Sequence, residues 1–420
     1  MKPIKVGIYT LGCRVNMYES CAIAEKLEDL GYTVSKTGNC QYYIVNTCAV
    51  TAESERKSRQ LVRRCASKGK VLVIGCAAQI ENNFLENENV VFVSGNHNKM
   101  SVVDYLENDS KEIIDNISTM DNVEYEEMSL CGRDLLFSEC RAFIKIQDGC
   151  NGKCTYCIIP KCRGKVRSRS QENIIEEAKR LVGNGYSEII LTGIEVSAYN
   201  KCRLSELIRK VSEIRGVKRI RLGSLSPNII NDLFLEEVSS VGSFMPHLHL
   251  SLQSCCDKIL SAMKRPYRKR DIIDRVKAIR KYMPNCIITS DIIVGFPGET
   301  EENFRETVET LKELKIFHVH SFPYSERNGT PAAEMTESVP KQIRSSRNVT
   351  LIEECSKIKN SILDEHINKS LSVLIEKIKD GKAFGHTEEF IEACIDANHH
   401  KTGEIVEFVA KSHDGNMIYG

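Results

Sequence analysis

The chain has 420 residues, with 58 Lys+Arg against 57 Asp+Glu and 41% apolar residues, a balance that excludes a disordered protein. At roughly 150 residues per domain the length suggests two to four domains, and no apolar run approaches the ~18 residues that would cross a bilayer. With charge so even, a nucleic-acid partner would have to be met by local basic patches. Eighteen cysteines fall short of the ~8–10% of a disulfide scaffold. In a Lys- and Glu-rich chain without a secretory signal they are expected to be reduced, cytoplasmic thiols, and clustered ones metal ligands or catalytic groups. Leu11-Gly12-Cys13 imitates a lipoprotein cleavage site but lacks the apolar region before it, so the N-terminus is expected to be retained.

Residues 1–95 alternate strand and helix signals: strands at Ile4–Thr10, Tyr42–Asn46, Val71–Gly75 and Val90–Val93, helices at Glu19–Leu30 and Ala52–Lys68. That rhythm predicts a doubly wound parallel sheet in an α/β domain over 1–125. The stretch from Lys99 to Cys140 holds eleven acidic and three basic residues without strong periodicity, and reads as an inter-domain connector with its linker at 126–140. From 141 to 368 six strands recur, at Ala142–Gln147, Glu188–Leu191, Arg219–Leu222, His247–Leu252, Ile287–Val294 and His318–Phe322, with helical patterns between them. They predict a (βα)6 partial barrel, open at one side, closed off by a helix over Ile343–Ile367. Over 369–420 four short alternating segments at 372–378, 381–386, 389–395 and 404–411 predict a small antiparallel β-barrel of the oligonucleotide-binding sort.

The most specific motif is Cys150-x3-Cys154-x2-Cys157, directly after the first strand of the predicted barrel. Thiolates hold iron–sulfur clusters, normally four at a time, and a compact loop supplying three keeps one iron open. The alternative is a zinc site needing a fourth ligand, for which Cys162 is near in sequence. A second set appears once the strands are placed. Cys13, Cys48 and Cys76 each follow a strand of the first domain, and ligands of open α/β sheets bind beyond the carboxyl ends of the strands. The alternative is three small buried hydrophobes. A cluster with an open iron at a barrel mouth is what reductive cleavage of S-adenosylmethionine requires.

These residues carry a resemblance. The Cys150/Cys154/Cys157 motif opening a (βα)6 barrel resembles the radical S-adenosylmethionine superfamily. With "LGCRVN", "NTCAVTAESERKSRQ", "FIKIQDGCNGKCTYCIIP", "RGKVRSRS", "LTGIEVSAY", "RLGSLSP" and "DIIVGFPGET", the whole chain is similar to the methylthiotransferases, in particular to the MtaB type, which acts on N6-threonylcarbamoyladenosine in tRNA. The resemblance implies two 4Fe-4S clusters. Cys150, Cys154 and Cys157 would hold the one that reduces S-adenosylmethionine to a 5′-deoxyadenosyl radical, and Cys13, Cys48 and Cys76 an auxiliary one presenting the sulfur to be transferred. The product would carry a methylthio group at C2 of the modified adenine next to the anticodon, and 369–420 would be a TRAM-like domain gripping tRNA. Adenine C2–H is unactivated, which accounts for a chain with no evident acid–base or nucleophile motif. Two departures stand out, Cys255 where the family usually places glycine, and Lys161-Cys162 where Tyr-Ala is more familiar.

Contacts to S-adenosylmethionine are expected from Tyr156 in the cluster loop and from Gly193, Glu195, Ser224 and Gly295 at barrel strand ends. Arg56–Lys70 holds seven basic residues and no acid, among them Arg59, Arg63 and Arg64; residues 141–170 hold eight basic against one acidic, among them Arg163, Lys165 and Arg167. With Lys264, Arg265, Arg268, Lys269 and Arg270 they are candidates for neutralising tRNA phosphates. The partners expected are tRNA and an electron donor, with no membrane, for a monomer. Within the same chemistry the alternatives are isopentenyladenosine in tRNA or a ribosomal-protein aspartate; outside it, a non-enzymatic iron–sulfur RNA-binding redox sensor.

Overall fold

The computed structural model describes residues 4–80, 83–108, 114–116, 123–131 and 140–420. The first unit is a parallel sheet of β1 (Lys5–Thr10), β2 (Thr33–Ser35), β3 (Tyr42–Thr47), β4 (Lys70–Gly75), β5 (Val90–Ser94) and β6 (Ile114–Asn116), in the order β2-β1-β3-β4-β5-β6. Its central strands read as unbroken apolar runs because both faces are covered. Ile44, Leu72 and Ile74 pack in one core cluster with Ile23 and Leu27 of the helix Arg14–Asp29, while Tyr43, Val45, Val71 and Val73 pack in another with Val62 and Cys65 of the helix Ala52–Ala66. Thr51 caps the latter helix by accepting the Ser54 N–H at 3.1 Å. Helix Arg14–Asp29 begins five residues before the expected start, because Asn16 and Glu19 in its first turns are buried polar groups that an apolar pattern does not register.

The barrel is as expected. Strands β7 (Arg141–Lys145), β8 (Glu188–Thr192), β9 (Arg219–Leu222), β10 (His247–Gln253), β11 (Ile287–Val294) and β12 (His318–Pro323) lie side by side in chain order, all parallel. The isolated bridge Leu225–Leu250 joins the two halves. No ladder links β7 to β12 among the described residues, so the barrel is open along that side. The closing helix runs Lys341–Asp364.

The C-terminal unit departs from expectation. It has six strands, β13 (Ser370–Lys379), β14 (Lys382–Thr387), β15 (Glu392–Asp396), β16 (Ile405–Val409), β17 (Ser412–His413) and β18 (Met417–Tyr419), in the order β16-β13-β14-β15-β18-β17. The β15–β18 pair is parallel and the others antiparallel. Asp380 and Gly381, both with positive φ, make the tight β13–β14 turn. Two barrel residues anchor this sheet. Arg219 donates to the carbonyls of His386 and Ser372 at 3.0 and 2.9 Å, and Arg221 to those of Glu388 and Thr387, both at 2.8 Å.

The acidic connector is also not a free tether where it is described. Ser101–Glu107 is a helix and β6 extends the first sheet. Met128 and Leu130, in the expected linker, are buried, and the Tyr18 hydroxyl donates to the Met128 carbonyl at 2.7 Å. The remainder of that linker, 132–139, lies outside the described residues. No helix among the described residues is long and apolar enough to cross a membrane.

Candidate active site

The strand order reverses direction between β1 and β3, the point at which an open α/β sheet leaves a crevice beyond its carboxyl ends. Cys13 follows β1, Cys48 follows β3 and Cys76 follows β4, so all three stand at that crevice. Each lies in the electrostatic field of another: Cys48 feels Cys76 and Cys13, and Cys13 feels Cys76. The backbone is shaped to bring them in. Gly12 has φ +96°, and a Cβ there would sit 2.7 Å from the Cys48 sulfur. Thr47 Oγ1 accepts the N–H groups of Ala77 and Ala78 at 3.2 Å, holding the turn that carries Cys76. Burial pushes the Cys48 thiol up to about 11. Cys76 is held down to about 5 by a hydrogen bond from Cys162, with the charge of Arg163 adding to it. Cys162, a departure from the family pattern, is thus a buried neighbour of Cys76.

The second triad is set by a short ribbon, in which Gln147–Asp148 pairs with Arg167–Ser168. Gly149 has φ +71°, where any Cβ would collide with the Lys165 carbonyl. Cys150 N–H donates to the Gly164 carbonyl at 3.0 Å and Cys157 N–H to that of Cys154 at 3.1 Å, folding the loop so that Cys157 feels both Cys154 and Cys150. Arg265 Nη1 donates to the Cys154 sulfur at 3.1 Å. A cavity of about 660 Å³ opens over Cys150, Gly152, Lys161 and Lys165.

Both triads suit iron–sulfur clusters. Among the described residues no three His, Cys, Asp or Glu side chains are grouped for a single metal ion. A cubane makes no such demand, since each thiolate takes a different iron.

A second cavity, of about 530 Å³, is lined by Cys13 of the first triad together with Gly193, Ser224, His249, Asp291 and Phe390 among others; the cysteines of the second triad do not line it. Residues of all three units therefore face one space. Of the expected cofactor contacts, Gly193 and Ser224 line it. At Gly193 a Cβ would stand 2.8 Å from Gln147 Oε1, an atom that also accepts the Glu195 N–H at 2.8 Å. Glu195 keeps a buried carboxylate oxygen, Oε1, without a protein partner, and burial raises its carboxyl; both suit a polar ligand. Tyr156 lines neither cavity; its ring meets Phe296 edge-on, centroids 6.4 Å apart. Gly295 is explained otherwise: with φ +69°, its missing Cβ makes room for Arg344 of the closing helix. Cys255 is buried in the barrel core, away from the cavity wall.

The basic residues divide. Arg63, Arg64 and Lys165 are exposed, and Arg59 is paired with Glu55 at 2.6 Å. Arg163 is fully buried between Glu19 and Asp148, 3.0 Å from each, so it offers no surface to a phosphate. Arg167, 8% exposed, donates to the Arg163 carbonyl at 2.7 Å. Lys99 and Lys145 complete this buried network around Glu19. Its members come from both sides of the junction between the first two units, and composition reads them only as charge runs. Arg265, grouped by sequence with the surface runs, belongs to the cluster loop instead. No local motif announces either role.

Residues 144–311 match the family model of the radical SAM superfamily, and residues 5–95 that of an uncharacterized protein family, UPF0004. Over 96% of its length the chain is 33% identical to the threonylcarbamoyladenosine tRNA methylthiotransferase MtaB of Bacillus subtilis, covering 92% of that protein. The MtaB protein of Thermotoga maritima is 35% identical, with 92% and 90% covered. A tRNA-2-methylthio-N(6)-dimethylallyladenosine synthase of Acetivibrio thermocellus is 33% identical, with 90% and 83% covered. Among solved structures, the radical S-adenosylmethionine methyltransferase TsrM from Kitasatospora setae shares the fold at a TM-score of 0.57 and 16% identity, over 79% of this chain and 77% of that one.

Proposed function

The chain belongs to the radical S-adenosylmethionine methylthiotransferases, and from that premise we propose that it transfers a methylthio group to C2 of N6-threonylcarbamoyladenosine in tRNA, next to the anticodon. The observation that carries this reading is the central cavity, which has Cys13 on one wall and the barrel strand ends Gly193 and Ser224 on another. A cavity that joins a thiol of the first triad to the barrel strand ends suits a reaction that needs a radical source and a separate sulfur donor. Cys150, Cys154 and Cys157 would hold one 4Fe-4S cluster, and Cys13, Cys48 and Cys76 the other. When bound, these groups supply one-electron reduction of S-adenosylmethionine and the sulfur that is transferred.

The chain's own residues do the rest. Gly193 lets the Gln147 side chain pass close behind the cavity wall, and Glu195 offers its unpartnered oxygen to an amino or hydroxyl group. Tyr156 and Phe296 wall the cluster loop on its apolar side. Arg63, Arg64 and Lys165 are exposed cations available to RNA phosphates, whose contribution would be salt-dependent.

Expression in cells lacking their own methylthiotransferases, followed by mass spectrometry of tRNA nucleosides, tests the reading. The 2-methylthio derivative of N6-threonylcarbamoyladenosine is expected. The isopentenyl counterpart alone would keep the chemistry and overturn the substrate, an outcome to which the relationship with the dimethylallyladenosine enzyme gives weight. Neither product, in protein that contains iron, would point to a protein substrate or a sensor.

A further inference from the structure

The central cavity carries one charge that the fold leaves unspent. Arg14 follows Cys13, lines the same cavity and is exposed. Among the described residues no carboxylate stands at ion-pair distance from its guanidinium, which lies 5.6 Å from the Phe143 ring centroid. The acid whose field reaches it, Glu188, is already held by Arg221 at 3.2 Å and Arg141 at 3.9 Å. On the cavity wall Asp291 contacts the His249 ring nitrogen at 3.1 Å, and Lys359 feels the charge of Glu392. Burial lowers the imidazoles of His247 and His320, and the charge of Arg14 adds to that effect. The guanidinium is therefore a cation on the cavity wall with no carboxylate partner of its own among the described residues. Its planar fork is suited to a carboxylate held by two parallel hydrogen bonds.

We infer that Arg14 receives the carboxylate of the threonylcarbamoyl group on the substrate's N6, and so selects an anionic N6 substituent over a neutral one. The inference rests on the substrate reading above. C2 and C6 of adenine flank N1 on one edge of the ring, so a base that turns C2 toward Cys13 carries its N6 substituent along the same wall, where the adjacent residue stands. Phe322, 43% exposed and lining this cavity, offers a face on which the base can stack. A neutral substituent would give the guanidinium no anionic partner, and sites built for a polar group discriminate most strongly against ligands that lack it.

The test uses anticodon stem–loop RNAs carrying either N6-threonylcarbamoyladenosine or its methyl ester. Their binding to the reconstituted protein and to R14Q and R14K is followed by fluorescence anisotropy over a salt series. The wild-type chain should bind the acid about tenfold or more tightly than the ester, as a charge-assisted hydrogen-bonded pair implies. R14Q should bind both RNAs alike, at the level of the ester, and R14K should keep part of the preference through its point charge. Equal unfolding midpoints for R14Q and the wild type would establish that the variant is folded. An undiminished preference in R14Q overturns the inference. So does equal weakening of both RNAs with a salt slope reduced by about one, which would make Arg14 a phosphate ligand. Nucleoside analysis separates the two levels. If the wild-type chain methylthiolates threonylcarbamoyladenosine but shows no acid preference, only the Arg14 assignment falls; if it makes no such product, the substrate reading falls and takes the assignment with it.

Discussion

Arg265 shows how far the role of one side chain can depend on where its neighbours fold. Its guanidinium spans Cys154 Sγ at 3.1 Å, the Ser251 carbonyl at 3.1 Å and the Tyr267 hydroxyl at 2.6 Å. Positive charge and a hydrogen bond at a cluster thiolate raise its reduction potential. Arg265→Met is therefore expected to make the potential of the Cys150/Cys154/Cys157 cluster about 50–100 mV more negative, the equivalent of one charge-assisted hydrogen bond. An EPR-monitored redox titration would show it, and an unmoved potential would reduce Arg265 to a packing residue. The triads themselves make a paired prediction. Cys154→Ala should lose S-adenosylmethionine cleavage while RNA binding persists. Cys48→Ala should still cleave S-adenosylmethionine but transfer no sulfur, and full methylthiolation by that variant would remove Cys13, Cys48 and Cys76 from the mechanism. The spacing of the six cysteines and their places after strands were legible in the sequence because they are local facts. Arg265 was not, because its partner is 111 residues away along the chain.

At the level of elements, helix Arg14–Asp29 does two jobs. Its N-terminus carries Cys13 and Arg14, and one turn later Asn16 and Glu19 reach back to Arg163, Lys145 and Lys99. Burial alone would raise the Glu19 carboxyl, but Arg163, Lys145 and Lys99 together hold it well below the ordinary range. Such a group stabilises the fold above its unfolded value of ~4.3 and loses that contribution as the pH falls further. The urea midpoint should therefore hold down to about pH 5 and fall as the pH is lowered through about 4 toward 3, and Arg163→Met should flatten the dependence. The same substitution strands Glu19 and Asp148 as buried carboxylates with one cation fewer, at a cost of about 3–5 kcal/mol at neutral pH. Equilibrium unfolding measures both quantities. A cost below about 1 kcal/mol would mean that Arg163 is dispensable to the junction between the first sheet and the barrel.

For the whole molecule, the central cavity is a three-way junction. The first sheet brings Cys13 and Arg14, the barrel brings Gly193, Ser224 and the histidines of β10 and β12, and the C-terminal sheet brings His386 and Phe390. Read from sequence, residues 370–420 form a separable RNA-binding module whose deletion weakens RNA binding and spares cofactor cleavage. The structure adds a cost to that deletion. Arg219 and Arg221 would lose their carbonyl acceptors, and Ile287, Phe317, Ile362 and Leu363 would lose the cover of Leu371, Ile391 and Ile418. Each large side chain uncovered forfeits about 1.5–3 kcal/mol, so the truncated chain should unfold more than about 5 °C below the intact one. Scanning calorimetry decides between an integral unit and an appendage, and an unchanged Tm would restore the separable module.

The sequence by itself determined the α/β character, the parallel pairing expected of both sheets and the strand-end positions of the six thiols, though not the short strands β2 and β6. Periodicity and turn chemistry are properties of short windows, and strand ends are where such windows stop. It also marked the C-terminal segment as a sheet, missing β17 and β18, which are two and three residues long, too short for any alternation to show. Only the tertiary structure decided which charges are surface and which are structural. Arg163 and Arg265 look like their neighbours in a basic run, but low-dielectric burial among partners over 100 residues distant gives them other work. It likewise decided that Gly295 makes room for Arg344 and Gly193 for Gln147 at the cavity wall, since a missing Cβ acquires meaning only from the atom that would occupy its place. The convergence of Cys13, Arg14 and the barrel face on one space belongs to the same class. Three separately legible units set the parts, and their packing set the distances between them.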